Sequence, residues 1–314
     1  MSFSLDKKHI IVVYHHVDNP RADRKGIHPC SVSEFEKQIK FLSKHYRIAS
    51  ISDVYNAAKE NDKERVCALT FDDGLLDNYK NAVPIMEKYD ATGTFFIIGS
   101  VFDGTIPFST KLHIILSNIT PDILFEKYHV FLDTYFSEEA IKYRIPTDKY
   151  LNEARRHDDI RVANFKDILI ILPEDIKEQF LKWFFKELNL DEKRLCEEFF
   201  MSEKEVKDLH TRGFTIGGHT ESHQAFDCQS KDEMQKDISS SRKLIEKITG
   251  ERPVTFSYPH GRLSNNISDE ISILKGEGFE YAVTIKRGAV NSDDSPFLLP
   301  RYNTNEIRDF IREN

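Results

Sequence analysis

The chain has 314 residues, of which 31% are charged and 39% hydrophobic, a composition typical of a globular protein rather than a disordered one. Its 44 basic residues are outnumbered by 52 acidic ones, which argues against nucleic acid as a partner, because phosphate binding needs a basic face. A length of this order allows one large α/β domain or two smaller ones.

The amino-terminal segment shows no secretory or membrane-spanning pattern. Residues 1–8 are polar, and the apolar run at 10–14 is too short for a signal-peptide core or a membrane span, so it predicts a β-strand. The cysteines, none of which has CxxC spacing, are Cys30, Cys67, Cys196 and Cys228. Together these observations favour a reduced, cytoplasmic location.

Short apolar runs alternate with helical patterns along most of the chain. The runs that predict strands are 10–14, 46–51, 66–71, 94–98, 214–217, 254–258 and 280–285. The patterns that predict helices are 33–45, 52–60, 77–89, 231–249 and 267–277. Helix caps are predicted at Ser31 or Ser33 and at Ser230. Strands that alternate with helices predict a largely parallel sheet, which can close into a barrel.

Residues 102–200 interrupt this alternation. The stretch is mostly helical in pattern and contains 16 of the 36 aromatic residues, which predicts a helical insertion with a small core of its own. An active-site lid, an oligomer interface and a contact surface for a lipid-linked substrate are alternatives that the sequence leaves open.

Two adjacent carboxylates, Asp72 and Asp73, stand where an apolar run ends. The run at 66–71 predicts a buried strand, and Gly74 permits a sharp turn after it. Successive strand residues point to opposite faces, so the two carboxylates can act differently only if the turn re-aims one of them. Because a buried, unpaired carboxylate is unfavourable, the pair indicates a metal, another cation or catalysis. A turn or a helix cap is the structural alternative.

Two histidines, His219 and His223, follow the predicted strand at 214–217. At this spacing their side chains can converge on one ion if the segment starts a helical turn. The carboxyl ends of strands face the site in α/β sheets and barrels, so we expect these histidines near Asp72 and Asp73. One carboxylate and two imidazoles leave coordination positions open for water and substrate, as in a catalytic zinc site.

A third segment, Phe256 to Gly261, also ends a predicted strand. Pro259 and Gly261 favour a tight turn there, which can direct the backbone N–H of His260 at a developing oxyanion. A turn without a catalytic role is the alternative.

Three ordered motifs resemble those of the polysaccharide deacetylase family, the NodB-homology group also called carbohydrate esterase family 4. They are Leu69–Gly74, His219–His223 and Phe256–Gly261, within a resemblance that covers roughly residues 1–100 and 202–303. The resemblance implies an α/β fold, a distorted TIM-like (β/α) barrel. It also implies that residues 1–314 form a single catalytic domain, with the large helical insertion at 102–200 inside it.

The resemblance also implies roles for individual residues. Asp73, His219 and His223 would bind a divalent ion, usually zinc, and Asp72 would be the general base. Members of the family hydrolyse N-acetyl groups of amino-sugar polymers to acetate and a free amine. Zinc lowers the pKa of a bound water to roughly 7, and a carboxylate beside it can take that water's proton. The ion and the His260 N–H would stabilise the carbonyl oxygen.

The chain departs from the family where a histidine near the carboxyl terminus often supplies the general acid. No histidine follows Gly261, and the corresponding region reads Leu298-Leu299-Pro300-Arg301-Tyr302. The remaining candidates for the acid are His15, His260 and His16, of which we favour His15 and then His260.

A Leu-Pro-Arg segment occurs in some relatives, and Arg301 is predicted to pair with Asp72, keeping it ionised and oriented. The predicted function is metal-dependent N-deacetylation of an amino-sugar substrate, which could be a polysaccharide, an oligosaccharide or a carrier-linked sugar of bacterial surface-polysaccharide metabolism. Hydrolysis of another C–N bond, in a non-sugar amide or imide, is an alternative. A carbohydrate-binding relative without turnover is another, suggested by the missing histidine. The native metal and the oligomeric state are left open.

Overall fold

A computed structural model of the chain describes residues 3–138, 140–151, 159–264 and 266–313. The chain divides into two compact units. The first contains Met1–Asn19, Pro29–Thr105 and Cys196–Asn314, and the second contains Pro20–His28 and Ile106–Leu195. A single catalytic domain with an insertion at 102–200 stays a prediction.

The first unit contains a closed parallel β-barrel. The strands are β1 (His9–Tyr14), β2 (Arg47–Ile48), β3 (Val66–Phe71), β4 (Thr94–Ile97), β5 (Thr215–Gly218), β6 (Thr255–Ser257), β7 (Tyr281–Arg287) and β8 (Leu299–Asn303). They pair in the order β1-β8-β7-β6-β5-β4-β3, and β1 also pairs with β3, which closes the ring. The short β2 pairs with the start of β3. The predicted (β/α) barrel is confirmed, and its parallel strands put all carboxyl ends at one end of the barrel.

Twelve α-helices lie between and after the strands in the part of the chain that the structure describes. They are α1 (Val32–His45), α2 (Ile51–Lys59), α3 (Val83–Lys88), α4 (Phe108–Asn118), α5 (Pro121–Tyr135), α6 (Ile160–Ile171), α7 (Glu174–Glu187), α8 (Glu192–Phe199), α9 (Glu203–Thr211), α10 (Lys231–Thr249), α11 (Ile267–Gly276) and α12 (Thr304–Glu313). No helix among the described residues has the length and apolarity needed to cross a bilayer.

Serine caps account for several element boundaries. Ser31 accepts a hydrogen bond from the Glu34 N–H at the start of α1, and Ser230 forms a capping box with Glu233 at the start of α10, as predicted. The strand predicted at 46–51 is shorter than expected, because Ser50 forms a capping box with Asp53 and α2 begins at the next residue.

The structure differs from the predicted elements at one helix and at one further strand. The helix predicted at 77–89 consists of a π-helical turn, Asn78–Ala82, followed by α3. Strand β8 was not predicted, because Pro300, Arg301 and Asn303 break the apolar pattern that marks a strand. It forms because its neighbours β7 and β1 supply hydrogen-bonding partners on both sides.

The second unit contains helices α4 to α7, which share an aromatic core. Phe180 of α7 contacts Tyr128 and Phe131 of α5, with ring centroids 5.2 Å and 5.3 Å away. Phe165 of α6 lies 6.2 Å from the same ring. These rings bury large apolar areas and account for the aromatic enrichment of this part of the chain.

Candidate active site

The side chains singled out in the sequence meet at the carboxyl ends of the barrel strands. Asp72 and Asp73 follow β3, and His219 follows β5. His15 comes directly after β1, and Arg301 lies inside β8. Barrel closure therefore brings together residues from four separate parts of the chain.

Asp73, His219 and His223 form the one cluster of metal-compatible side chains found among the described residues, with their ligand atoms all within 4.8 Å of one another. Nε2 of each histidine lies 3.4 Å from Asp73 Oδ1. Two ligands at zinc–nitrogen and zinc–oxygen bond lengths in tetrahedral geometry would be separated by roughly 3.4 Å. Asp73 Oδ1 is buried and accepts no hydrogen bond from the described residues. The donor set and its spacing fit a divalent ion of the zinc type.

A hydrogen bond at Nδ1 of His219 leaves its other ring nitrogen, Nε2, available as a metal ligand. Its Nδ1 lies 2.7 Å from the Ser257 carbonyl oxygen, which can only accept, so in the neutral imidazole Nδ1 carries the proton and Nε2 keeps its lone pair. Burial lowers the pKa of His219, but the carboxylates of Asp73 and Asp72 outweigh burial and raise it.

His223 is held neutral by its surroundings. Burial, followed by the charge of His260, puts the pKa of His223 well below its usual value. A neutral imidazole is the form that binds a metal ion.

The two histidines converge without a helical turn, the condition under which their spacing was expected to bring them to one ion. Residues 219–223 are not helical, and Thr220 and His223 have φ angles of 64° and 58°. Left-handed conformations of this kind cost roughly 1–3 kcal/mol each in residues other than glycine and persist only where surrounding contacts hold them. One such contact is local, since the His223 N–H donates to Thr220 Oγ1 at 2.9 Å.

The turn after β3 separates the two carboxylates, as the sequence requires for two different roles. Asp73 has a φ of 75°, which re-aims its side chain relative to that of Asp72. Burial raises the pKa of Asp73, but the interaction with His219 and the charges of His223 and His15 bring it well below its usual value. Asp73 is therefore ionised, as a ligand must be.

Asp72 forms a buried ion pair with Arg301. Arg301 Nη1 donates to Oδ1 and Nη2 to Oδ2, each at 2.8 Å, so the pairing predicted from the sequence is confirmed. Ser257 Oγ also donates to Oδ2 at 3.3 Å. Burial raises the pKa of Asp72, but the Arg301 guanidinium outweighs burial and lowers it.

Thr70, Ser257 and Thr284 contact Arg301 and were given no role from the sequence. The guanidinium donates to Thr70 Oγ1 at 3.3 Å, to Ser257 Oγ at 3.2 Å and to the Thr284 carbonyl at 2.8 Å. The three residues come from β3, β6 and β7, so Arg301 is oriented across the barrel interior. A serine or threonine within a strand carries no sequence signal of such a contact.

His15 lies close enough to the carboxylates for its charge to lower the pKa of both Asp72 and Asp73. The next residue, His16, points elsewhere: its Nδ1 donates to Asp77 Oδ2 at 2.6 Å. Asp77 Oδ1 also accepts the Val17 N–H at 3.1 Å. These two contacts hold the segment after β1 against the start of the helical segment that follows β3.

His260 contacts the metal-compatible cluster through His223. Its φ of 55° places it in a left-handed turn, and its ring centroid lies 4.4 Å from that of His223. Nε2 donates to the His223 carbonyl oxygen at 3.1 Å. The predicted role of its backbone N–H as an oxyanion donor stays a prediction.

A basic cleft of about 520 Å³ lies at the opposite end of the barrel. It is lined by Lys8, Lys44, His45, Tyr46, Arg47, Lys63, Glu64 and Arg65. These residues precede or begin β1, β2 and β3, whereas Asp72 and Asp73 follow the far end of β3. The cleft is therefore separate from the candidate active site.

A sequence model of the polysaccharide deacetylase family matches residues 59–120 and 158–281. The chain is 22% identical over 273 residues to a poly-β-1,6-N-acetyl-D-glucosamine N-deacetylase of Staphylococcus aureus, covering 86% of this chain and 66% of that relative. It thus spans about two thirds of the relative's length.

Two solved structures resemble the fold of this chain. Streptococcus pyogenes deacetylase PplD in complex with acetate has a TM-score of 0.61 at 16% identity, covering 97% of this chain and 96% of that one. IcaB from Ammonifex degensii has a TM-score of 0.56 at 14% identity, covering 96% and 95%. At these identities the likeness shows the fold alone.

Proposed function

The chain belongs to the polysaccharide deacetylase family, and on that premise we propose that it is a metal-dependent hydrolase that removes the N-acetyl group from an amino-sugar substrate. The main observation behind the proposal is that two neighbouring carboxylates have different kinds of partner. Asp73 shares a 3.4 Å contact with each of two imidazoles, while Asp72 beside it is committed to a guanidinium. A turn with only a structural role would not need one aspartate to face two imidazoles and the next to pair with a buried guanidinium.

In the proposed reaction Asp73, His219 and His223 would hold the ion. When bound, a divalent ion supplies Lewis acidity and makes a water acidic enough to act as a nucleophile near neutral pH. Asp72 accepts the proton of the attacking water. Its lowered pKa keeps the carboxylate ionised before the reaction begins, which is the form that can accept a proton.

Arg301 positions the base in this proposal. Its planar guanidinium binds both oxygens of Asp72, which fixes the orientation of the carboxylate as well as its charge. A lysine could offer the charge but not the two-point geometry.

His15 is our proposed general acid, which would protonate the nitrogen of the departing amine. Its charge lowers the pKa of both Asp72 and Asp73, and it follows β1 at the same end of the barrel as these two carboxylates. His260 is the second candidate, but its Nε2–H is already donated to the His223 carbonyl. Likewise, His16 already donates its Nδ1–H to Asp77.

The substrate class follows from the relatives as a proposal. One is named as acting on poly-β-1,6-N-acetyl-D-glucosamine, and the PplD structure contains acetate, the product that deacetylation would release. We propose N-acetylglucosamine-containing glycans or carrier-linked N-acetyl amino sugars as substrates.

The experiment measures hydrolysis of a panel of substrates by zinc-loaded protein, followed as acetate release for the N-acetyl sugars and as loss of substrate for the amide and the imide. The panel contains β-1,6- and β-1,4-linked N-acetylglucosamine oligomers, a nucleotide-linked N-acetylglucosamine, and a non-sugar amide and imide. We expect turnover of at least one N-acetyl amino sugar, and Asp72→Asn should reduce it by about 10²–10⁴-fold while zinc content is unchanged. Turnover of only the amide or imide would replace the proposed substrate class. Sugar binding without turnover would indicate a binding relative.

A further inference from the structure

A buried carboxylate outside the predicted site, that of Asp237, contacts the loop that carries both histidines. Asp237 lies on α10 and is 8% exposed. Its Oδ1 accepts hydrogen bonds from the N–H of Glu221 at 3.0 Å and of Ser222 at 2.7 Å. Its Oδ2 accepts from Ser222 Oγ at 2.9 Å and from Gln229 Nε2 at 3.1 Å. Both oxygens of the carboxylate are therefore used.

The packing of helix α10 fixes the position of the Asp237 carboxylate. α10 starts with the Ser230 capping box and runs for 19 residues. Ile238, the neighbour of Asp237, is fully buried in an apolar cluster with Phe226 and Phe256. The position of Asp237 is thus set by core packing rather than by the loop itself.

The hydrogen bonds fall between the two candidate ligands. Glu221 and Ser222 donate to Asp237, and they lie between His219 and His223. The carbonyl groups of this loop are also hydrogen-bonded. Those of Thr220 and Glu221 accept hydrogen bonds from the N–H groups of residues 99 and 100, at 3.0 Å and 2.8 Å. A backbone with left-handed residues at 220 and 223 needs contacts of this kind to persist.

We propose that Asp237 is a positioning residue for the metal site. Its carboxylate holds Glu221 and Ser222 so that Nε2 of His219 and Nε2 of His223 both face Asp73 Oδ1. The inference rests on the proposed function only in taking these three side chains as metal ligands. A helix residue that merely stabilised the fold would leave the affinity for metal unchanged.

The test compares the zinc affinities of Asp237→Ala, Asp237→Asn and the wild-type protein by competition with a chromophoric chelator. Asp237→Ala should weaken zinc binding by about 10–100-fold, the usual effect of removing an outer partner of a metal site. Asp237→Asn should weaken it by only about threefold to tenfold, because the amide oxygen can still accept the two backbone N–H bonds without the negative charge.

The matched control is Asp232→Ala, which removes an exposed carboxylate from the same helix and should leave zinc affinity unchanged. Cobalt-substituted protein gives a second readout, since the visible spectrum of the ion reports ligand geometry. We expect the spectrum of Asp237→Ala to differ from that of the wild type, and that of Asp232→Ala to match it. Thermal unfolding in the absence of metal identifies variants that fail to fold.

If Asp237→Ala folds and binds zinc as tightly as the wild type, the inference is wrong while the proposed function stands. If Asp237→Ala fails to fold, Asp237→Asn decides, and an unchanged affinity there would also overturn the inference. A wild-type protein that binds no zinc would overturn the proposed function and the inference together.

Discussion

Arg301 and Asp72 form a two-point ion pair, with Nη1–Oδ1 and Nη2–Oδ2 distances of 2.8 Å each, although 229 positions separate them in the sequence. Their side chains are 0% and 4% exposed. Water and salt therefore screen the attraction weakly, and loss of one partner leaves the other charge buried and unpaired. The same ion pair therefore stabilises the folded barrel and keeps the proposed base, Asp72, ionised.

Arg301→Ala should lower the free energy of unfolding by about 3–5 kcal/mol, because it leaves the Asp72 carboxylate uncompensated. Turnover should fall with it, since the carboxylate loses both its orientation and the charge that keeps it ionised. Urea denaturation measures the first effect and acetate release the second. Arg301→Lys should recover part of the stability and less of the turnover.

The control for this prediction is Arg287→Ala, on the neighbouring strand β7. Arg287 pairs with Glu306 but is 58% exposed, so its removal should cost less than about 1 kcal/mol. Equal losses of stability for Arg287→Ala and Arg301→Ala would show that burial of the Asp72 pair has no special effect.

His15→Ala should reduce kcat by about 10²–10⁴-fold if His15 protonates the departing amine. Zinc content and the free energy of unfolding should change little, because His15 is exposed and is not one of the three candidate ligands. The matched control is His45→Ala, at the other end of the barrel. An unchanged kcat for His15→Ala would exclude His15 as the acid and make His260 the next variant to measure.

His219→Ala should abolish the stabilisation that zinc confers on the folded protein. A ligand present at 100 times its Kd stabilises by about 2.7 kcal/mol, so zinc should raise the Tm of the wild-type protein and leave that of His219→Ala unchanged. His210→Ala is the control, because His210 lies on α9 and only approaches Glu251, at 3.8 Å. A zinc-dependent rise in the Tm of His219→Ala equal to that of wild type would contradict the proposed ligand set.

Gly217→Ala should destabilise the protein by about 1–3 kcal/mol through overpacking in β5. A Cβ at this position would lie 2.5 Å from Phe96 Cδ1 and 2.7 Å from Thr255 Oγ1. Gly276→Ala is the control, since a Cβ there meets nothing within 4 Å at the end of α11 and alanine is the better helix former. Urea midpoints of the two variants check the prediction. A stable Gly217→Ala variant would mean that β5 tolerates a wider separation from β4 and β6.

Strand and helix positions in the barrel were predicted well where the pattern of apolar residues is strong. The strand predicted at 66–71 has those bounds in the structure, and the helix predicted at 231–249 begins and ends as expected. β8 was missed because its buried residues include an arginine that a hydrophobic pattern assigns to the surface. Arg301 can be buried there only because Asp72 lies opposite. That pair was predicted beside the family resemblance, but the local apolar pattern does not show it.

The candidate site was predicted in composition but only partly in geometry. The residues at the carboxyl ends of strands were identified correctly as neighbours, since Asp73, His219 and His223 lie together. The convergence of the two histidines does not use the helical turn on which it was made conditional, because left-handed residues at 220 and 223 bring them together instead. Asp237 carried no signal, since an acidic residue in an amphipathic helix usually faces water.

The amino-acid sequence by itself determined where the strands lie and which chemical groups stand at their ends, because apolar periodicity and turn residues act over a few neighbouring positions. Only the tertiary structure decided which of those groups meet. Closing the barrel joins β1 to both β3 and β8, which places Arg301 against Asp72. The neighbouring order β3-β4-β5 places the two imidazoles against Asp73. Contacts of that range depend on the packing of all the strands at once, so no local stretch of sequence specifies them.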